Sequence, residues 1–237
     1  MYYTKENFWV KTGTQFIWFF STYRNIDISI DELEDFISNR DYLSTKESNI
    51  FTDDVINLVK AWDYIRLVVL NFKDDLEGNK KFTDAFNLDV LTTIYKILDP
   101  SEEYCNQFIV ENDKKTIFIK KLFILIKELD DTSDVNEILE KFCFSLYDFI
   151  VHKYIGEWTT IMFFCYFTQM AFICKDIGPI LFNDIDDLNY VLELSKKVTT
   201  FLETNDKSKW KNCEELKELE TIWNDKIEFF NLVKDNF

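Results

Sequence analysis

The stretch Trp158–Cys174, WTTIMFFCYFTQMAFIC, constrains the fold more than any other part of this 237-residue chain, because it is too apolar to be an ordinary surface helix. A helix of this length runs about 25 Å at 1.5 Å per residue, enough to pass through the middle of a small domain. Glu157 before it and Lys175-Asp176 after it mark the return to water, and Gly178-Pro179 prevents continuation. A membrane span needs roughly 20 apolar residues, whereas Thr159, Thr160, Thr168 and Gln169 interrupt this run. The segment therefore reads as a buried central helix around which the others pack.

Only 4 Gly and 2 Pro leave few of the turn residues that sheets demand, while 47% hydrophobic and 17% aromatic content argues against disorder. The expected fold is all-α, a single helical-bundle domain over residues 1–237. The stripe Val55, Leu58, Val59, Trp62, Ile65, Val69, Phe72 predicts an amphipathic helix from an N-cap at Thr52 to about Lys73. Shorter helices are expected over Thr14–Arg24, after the capping box Ser29/Glu32, and over Leu88–Leu98 before Asp99-Pro100. Others are expected over Lys115–Leu129, from Asp134/Glu137 toward His152, over Asp186–Leu202, and from Asn212/Glu215 to near Val233. Asn39–Asn49 and Leu76–Phe82 read as loop and turn, and Tyr104–Val110 as a lone strand or an irregular connection.

The 43 acidic and 27 basic side chains leave a net charge of −16, which opposes binding to a phosphate backbone, so no nucleic-acid partner is expected. The five cysteines have neither CxxC spacing nor a nearby histidine and read as reduced packing residues. The run Phe16–Phe20 is too short for a signal peptide, and Ile227–Val233 is short and interrupted by Glu228 and Asn231, so an intracellular, cytoplasmic protein without a stable membrane span is expected.

Chemistry is hard to place. The single histidine, His152, has Asp148 one turn before it, but two ligands do not make a zinc site. It reads as a helix-end histidine interacting with terminal carbonyls. Asp53-Asp54, Asp74-Asp75, Asp130-Asp131 and Asp186-Asp187 read as caps and solvated turns. With no nucleophile motif and no glycine-rich phosphate loop, neither an enzyme nor a cofactor is expected. Abundant apolar helix surface suits a protein that receives another amphipathic helix in a groove.

Four segments in order resemble the Bcl-2 family. Gln15–Arg24, QFIWFFSTYR, is similar to its first helix, and Leu58–Ile65, LVKAWDYI, resembles the BH3 pattern through Leu58, Ala61, Asp63 and Ile65. Glu157–Phe167, EWTTIMFFCYF, resembles the BH1 segment through Trp158, Ile161, Phe164 and Phe167, and Trp223–Phe230 loosely resembles the BH2 ending. The resemblance is to divergent viral members, whose AT-rich genomes suit the Asn, Lys, Ile and Phe richness. It implies apoptosis regulation in an infected host, in the cytoplasm or peripherally at mitochondria, by binding BH3-like amphipathic helices of pro-apoptotic proteins. In that arrangement Ile65, Val69, Phe72, Tyr147, Ile150, Val151, Thr160 and Phe163 would line the groove. The glycine and arginine that follow the BH1 tryptophan are replaced by Thr159 and Thr160, removing a charge-assisted bond worth about 1.5–3 kcal/mol. Phe163 and Trp62 stand where small residues are usual; if they close the groove, the fold would instead modulate host signalling through another surface. The interval from Phe72 to Glu157 also exceeds the family's and implies an added helix. A second resemblance, over Asp134–Thr160, is to Fic-domain proteins, with His152 near the position of their loop histidine. The loop's asparagine, paired glycines and arginine are missing and only Gly156 remains, so this resemblance implies a catalytically degenerate relative.

Overall fold

In the computed structural model the described residues are 1–44, 50–74, 80–111, 114–182 and 184–237. Among them the chain is all-α: α1 Glu6–Tyr23, α2 Ile30–Ser38, α3 Asp53–Lys73, α4 Phe82–Ala85, α5 Leu88–Leu98, α6 Ile117–Asp131, α7 Val135–His152, α8 Glu157–Cys174, α9 Ile185–Thr204 and α10 Glu214–Val233. The β-structure among the described residues is a short antiparallel pair, Val110–Glu111 with Lys114–Lys115, beside one isolated bridge.

The central helix is α8. From Met162 to Cys174 every residue but Cys165 is buried, and α3, α5 and α7 pack against it. Buried polar side chains along it are bonded: Tyr166 OH donates to Leu58 O (2.7 Å), and Thr168 Oγ1 donates to Phe164 O (2.8 Å). The Gln169 amide donates to Ile180 O (2.7 Å) and accepts from Ile180 N (3.0 Å). Buried polar groups cost free energy unless they are bonded, so these residues act as latches between α8 and its surroundings. Trp158, expected to be buried with the rest, is 42% exposed, whereas Thr160 in the same turn is buried. None of the helices among the described residues is long and apolar enough to cross a membrane.

One continuous core runs from Tyr3 to Phe230 and joins all the helical layers. Helix α1 begins at Glu6, eight residues earlier than its apolar run suggests. Gly13 lies inside it because the Trp62 indole of α3 sits against its backbone; a Cβ there would meet Trp62 Cδ1 at 2.6 Å. Trp62 Nε1 donates to Trp9 O (2.9 Å), so α1 and α3 approach closely around one ring. Helix α3 occupies the expected span, although Thr52 stands at its N-cap without a side-chain bond. Ser29 accepts from Glu32 N (3.4 Å) and Asp134 accepts from Asn136 N (2.9 Å) and Glu137 N (3.3 Å), as their capping signatures predict.

The local elements refine these expectations at several points. The Asn212/Glu215 box does not form: a 3-10 turn occupies Lys207–Asn212 and α10 starts after Cys213. Trp210 Nε1 donates to Leu202 O and Asn205 O, both at 3.1 Å, and holds that turn in place. Tyr104–Val110 is the irregular connection of the two expected alternatives, a 3-10 turn over Cys105–Phe108 leading into the hairpin, with Phe108 stacked on Tyr95. The unforeseen α4 is capped from another element: Asp130 of α6 accepts from Phe82 N (2.7 Å) and Thr83 N (3.2 Å). Within the expected loop Asn39–Asn49, residues Asp41–Leu43 form a 3-10 turn with Tyr42 buried, while 45–49 lie outside the described residues. The expected turn at Leu76–Phe82 likewise falls largely outside them.

Candidate functional site

The eight residues of the expected groove are dispersed. Ile65, Val69, Tyr147, Thr160 and Phe163 are buried, and Phe72, Ile150 and Val151 are half-buried. Phe72 packs on Phe82 and Phe86 (ring centroids 4.8 and 6.2 Å), whereas Phe163 packs on Phe108 and Phe118 (both 5.7 Å). The BH3-like stripe of α3 faces inward, with Leu58, Ala61 and Ile65 in the core. Asp63 is engaged by Arg66 on its own helix (Arg66 Nη2 2.6 Å). The long interval after Phe72 is filled by α4 to α7 among the described residues.

Two of the eight, Tyr147 and Ile150, do line a surface cleft, with α1, α8 and α9 and the connector Ile180–Phe182 as the other walls. Phe16, Phe19 and Tyr23 come from α1, Ile161 and Cys165 from α8, and Val191 and Ser195 from α9. The cavity measures about 100 Å³, room for an aliphatic side chain. Tyr147 OH and Ser195 Oγ are 2.6 Å apart at its floor, and burial holds the Tyr147 phenol neutral far above its ordinary range. The exposed Trp158 ring meets Tyr23 edge-on at 5.1 Å and extends the apolar rim. The α1 and connector walls escape sequence reasoning; the run Ile180-Leu181-Phe182 directly after Gly178-Pro179 was the available signal.

The segment between α7 and α8 is the other place where chemistry was conceivable. His152 ends α7, Lys153 takes a left-handed conformation (φ 49°), and Gly156 (φ 85°) is the N-cap of α8. A glycine-capped helix start ordinarily offers free N–H groups to an anion. Here Thr160 Oγ1 accepts from Ile155 N (3.1 Å) and donates to Gly156 O. The Tyr104 ring lies where a Gly156 Cβ would meet it at 3.2 Å. Glu157 then places a carboxylate on the first turn, answered by Lys153 at 3.4 Å. One loop amide is thus taken, the glycine is covered by a ring, and the first turn of α8 carries a carboxylate, a poor setting for phosphate.

Beside it, His152 Nδ1–H donates to Asp148 O (2.7 Å), the helix-end role its position predicts, and its ring stacks on Tyr154 at 5.2 Å. Asp148 is buried between Lys121 and Lys207, the latter at 3.0 Å. Burial pushes its carboxyl upward, but the hydrogen bonds from the two ammonium groups outweigh it and hold the group below the ordinary aspartate range. This cluster ties α6, α7 and the Lys207–Asn212 turn together. Among the described residues no three His, Cys, Asp or Glu side chains converge as a metal site. The five cysteines are unpaired, and burial raises the Cys143, Cys165 and Cys174 thiols well above their usual range, so they pack as thiols.

Comparison with known proteins adds no relative: no family model matches this chain, and neither a curated protein nor a solved structure is detectably similar to it.

Proposed function

We propose that this chain is a catalytically silent, Fic-like helical protein that works by binding another protein, using the cleft beside α8. The observation that carries this reading is the α7–α8 loop. The order helix, histidine, short glycine loop, helix is present, yet Thr160 takes the Ile155 N–H, the Tyr104 ring packs against Gly156, and Glu157 sets a carboxylate on the first turn of α8. What remains available is apolar: a cleft lined by Tyr23, whose ring meets the exposed Trp158 edge-on, residue types that dominate protein-binding hot spots.

A second reading is the Bcl-2-like one, in which a BH3 helix of a pro-apoptotic protein seats an apolar anchor in the same cleft and cell death is suppressed. The placement of Tyr147 and Ile150 on the cleft beside the buried central helix favours it. Calorimetric titration separates the alternatives. ATP and ADP are expected to show no micromolar binding, and His152→Ala to change nothing; nucleotide binding lost in that variant would overturn catalytic silence. BH3 peptides that bind the folded protein and lose at least tenfold in affinity with Ile150→Asp would establish the second reading. Silence across the peptide panel would remove it and leave a partner of another kind.

A further inference from the structure

A second surface, independent of the cleft, lies across the outer face of α7 between α6 and α10, where a groove of about 600 Å³ opens. Its floor is apolar: Leu125 of α6 and Leu216 of α10 are buried, Phe144 of α7 is half-buried, and Ile124 stands on one rim with 60% of its surface exposed. The α7 positions that line it, Glu137 to Ser145, span about 12 Å, two helical turns.

The charges in this groove do not balance. Lys141 is held by Glu128 (2.5 Å) and Glu137 (2.7 Å), and Lys217 turns to Glu214 (2.9 Å). That leaves Glu140 of α7 and Glu220 of α10, which both line the groove and make no ion pair among the described residues. Lys211 also lines the groove without an ion pair among the described residues, so two carboxylates stand against one ammonium. Two carboxylates held over an apolar floor are complementary to a cation carried on an apolar stem or beside an apolar face.

We propose that this groove docks a basic amphipathic helix of a partner protein, its apolar face on Phe144, Leu216 and Ile124 and a lysine or arginine between Glu140 and Glu220. The inference concerns a different surface from the cleft beside α8 and stands whether or not that reading survives.

The test uses the whole chain and a labelled model helix of alternating leucine and lysine face pattern, followed by fluorescence anisotropy at pH 8 in 0.15 M salt. A leucine–glutamate helix of the same pattern and a scrambled leucine–lysine peptide serve as controls. The double variant Glu140→Gln/Glu220→Gln is expected to weaken the leucine–lysine helix at least tenfold. Asp31→Asn/Asp35→Asn removes the same charge from exposed positions on α2 and should leave affinity within twofold. Ile124→Ser, at an exposed position where folding is not at stake, should weaken binding about threefold. Equal binding of the scrambled peptide, or equal losses in the two charge-matched double variants, would reduce the effect to bulk attraction by a chain of net charge −16 and overturn the proposal. A concentration-dependent dimer abolished by Glu140→Gln/Glu220→Gln would overturn it too, by assigning the groove to a second copy of the chain.

Discussion

Glu220 is the carboxyl whose surroundings are most at odds with its charge. Burial first, and the neighbouring Glu140 second, raise its pKa from 4.5 to about 7, with Lys217 offsetting only part of this. A carboxyl raised on folding is more protonated in the native than in the unfolded chain between those two values. Its contribution is therefore fully present below pH 4.5 and is lost as pH climbs through about 7. Because the side chain is only half-buried, solvent screening cuts the consequence to about 1 kcal/mol. Glu220→Gln is expected to match the parent protein near pH 4.5 and to be more stable by about that amount at pH 8, read as urea midpoints at the two pH values. An equal stability difference at both would show that the carboxyl is not perturbed. Trp62 teaches the complementary lesson about size: a bulky ring where the BH3 pattern wants a small residue fills the core and is matched by the absence of a side chain at Gly13.

At the level of elements, the helices that local signals dictate are those found close to where they were expected. Leu88–Leu98 has its Asn87 cap and its Asp99-Pro100 stop written into neighbouring residues, and α3 has a stripe too regular to misread. The elements that were missed depend on partners distant in sequence. The start of α1 looks like loop because Lys11, Thr12, Gly13 and Thr14 interrupt its apolar run; only Trp62 explains the glycine, and Thr12 and Thr14 satisfy themselves by donating to Phe8 O and Val10 O. Helix α4 exists because a carboxylate 48 residues away caps it. Asp130→Ala is accordingly expected to cost about 1–2 kcal/mol, the range of a lost N-cap, and to speed amide exchange at Phe82 and Thr83. Asp130→Asn, which keeps an acceptor, should cost less. If exchange at those two amides does not change in the alanine variant, α4 is held by its aromatic packing on Phe72 and Phe86 instead. Only Tyr147 and Ile150 of the expected groove line one cleft, for a related reason: helical spacing shows that residues share a face but not which neighbour covers it, and α8 is apolar nearly all round.

Over the whole molecule, α8 serves as the axis to which several helices are fixed, and its latches reach outward to α3 and to the connector that leads into α9. That connector is also a wall of the cleft. Gln169 holds it through both hydrogen bonds of a single residue, Ile180, much as one rung of a sheet would. Gln169→Leu would strand the Ile180 N–H and C=O, each costing about 1–3 kcal/mol if left buried and unbonded. The expected outcome is fast exchange at the Ile180 amide while Phe167 to Ile173 stay protected to near the global limit. Exchange at Ile180 that remained slow would mean that Phe182, stacked on Phe19 at 5.1 Å, suffices to hold the wall. The same rung has a consequence for any occupant of the cleft that leans on Leu181 and Phe182. Such a guest binds only the latched arrangement, so its presence must slow the opening of Ile180, and loosening the rung must lower the guest's affinity by the factor by which it lowers the latched population. Amide exchange at one backbone nitrogen thus becomes a gauge of cleft occupancy, readable before the guest itself is identified.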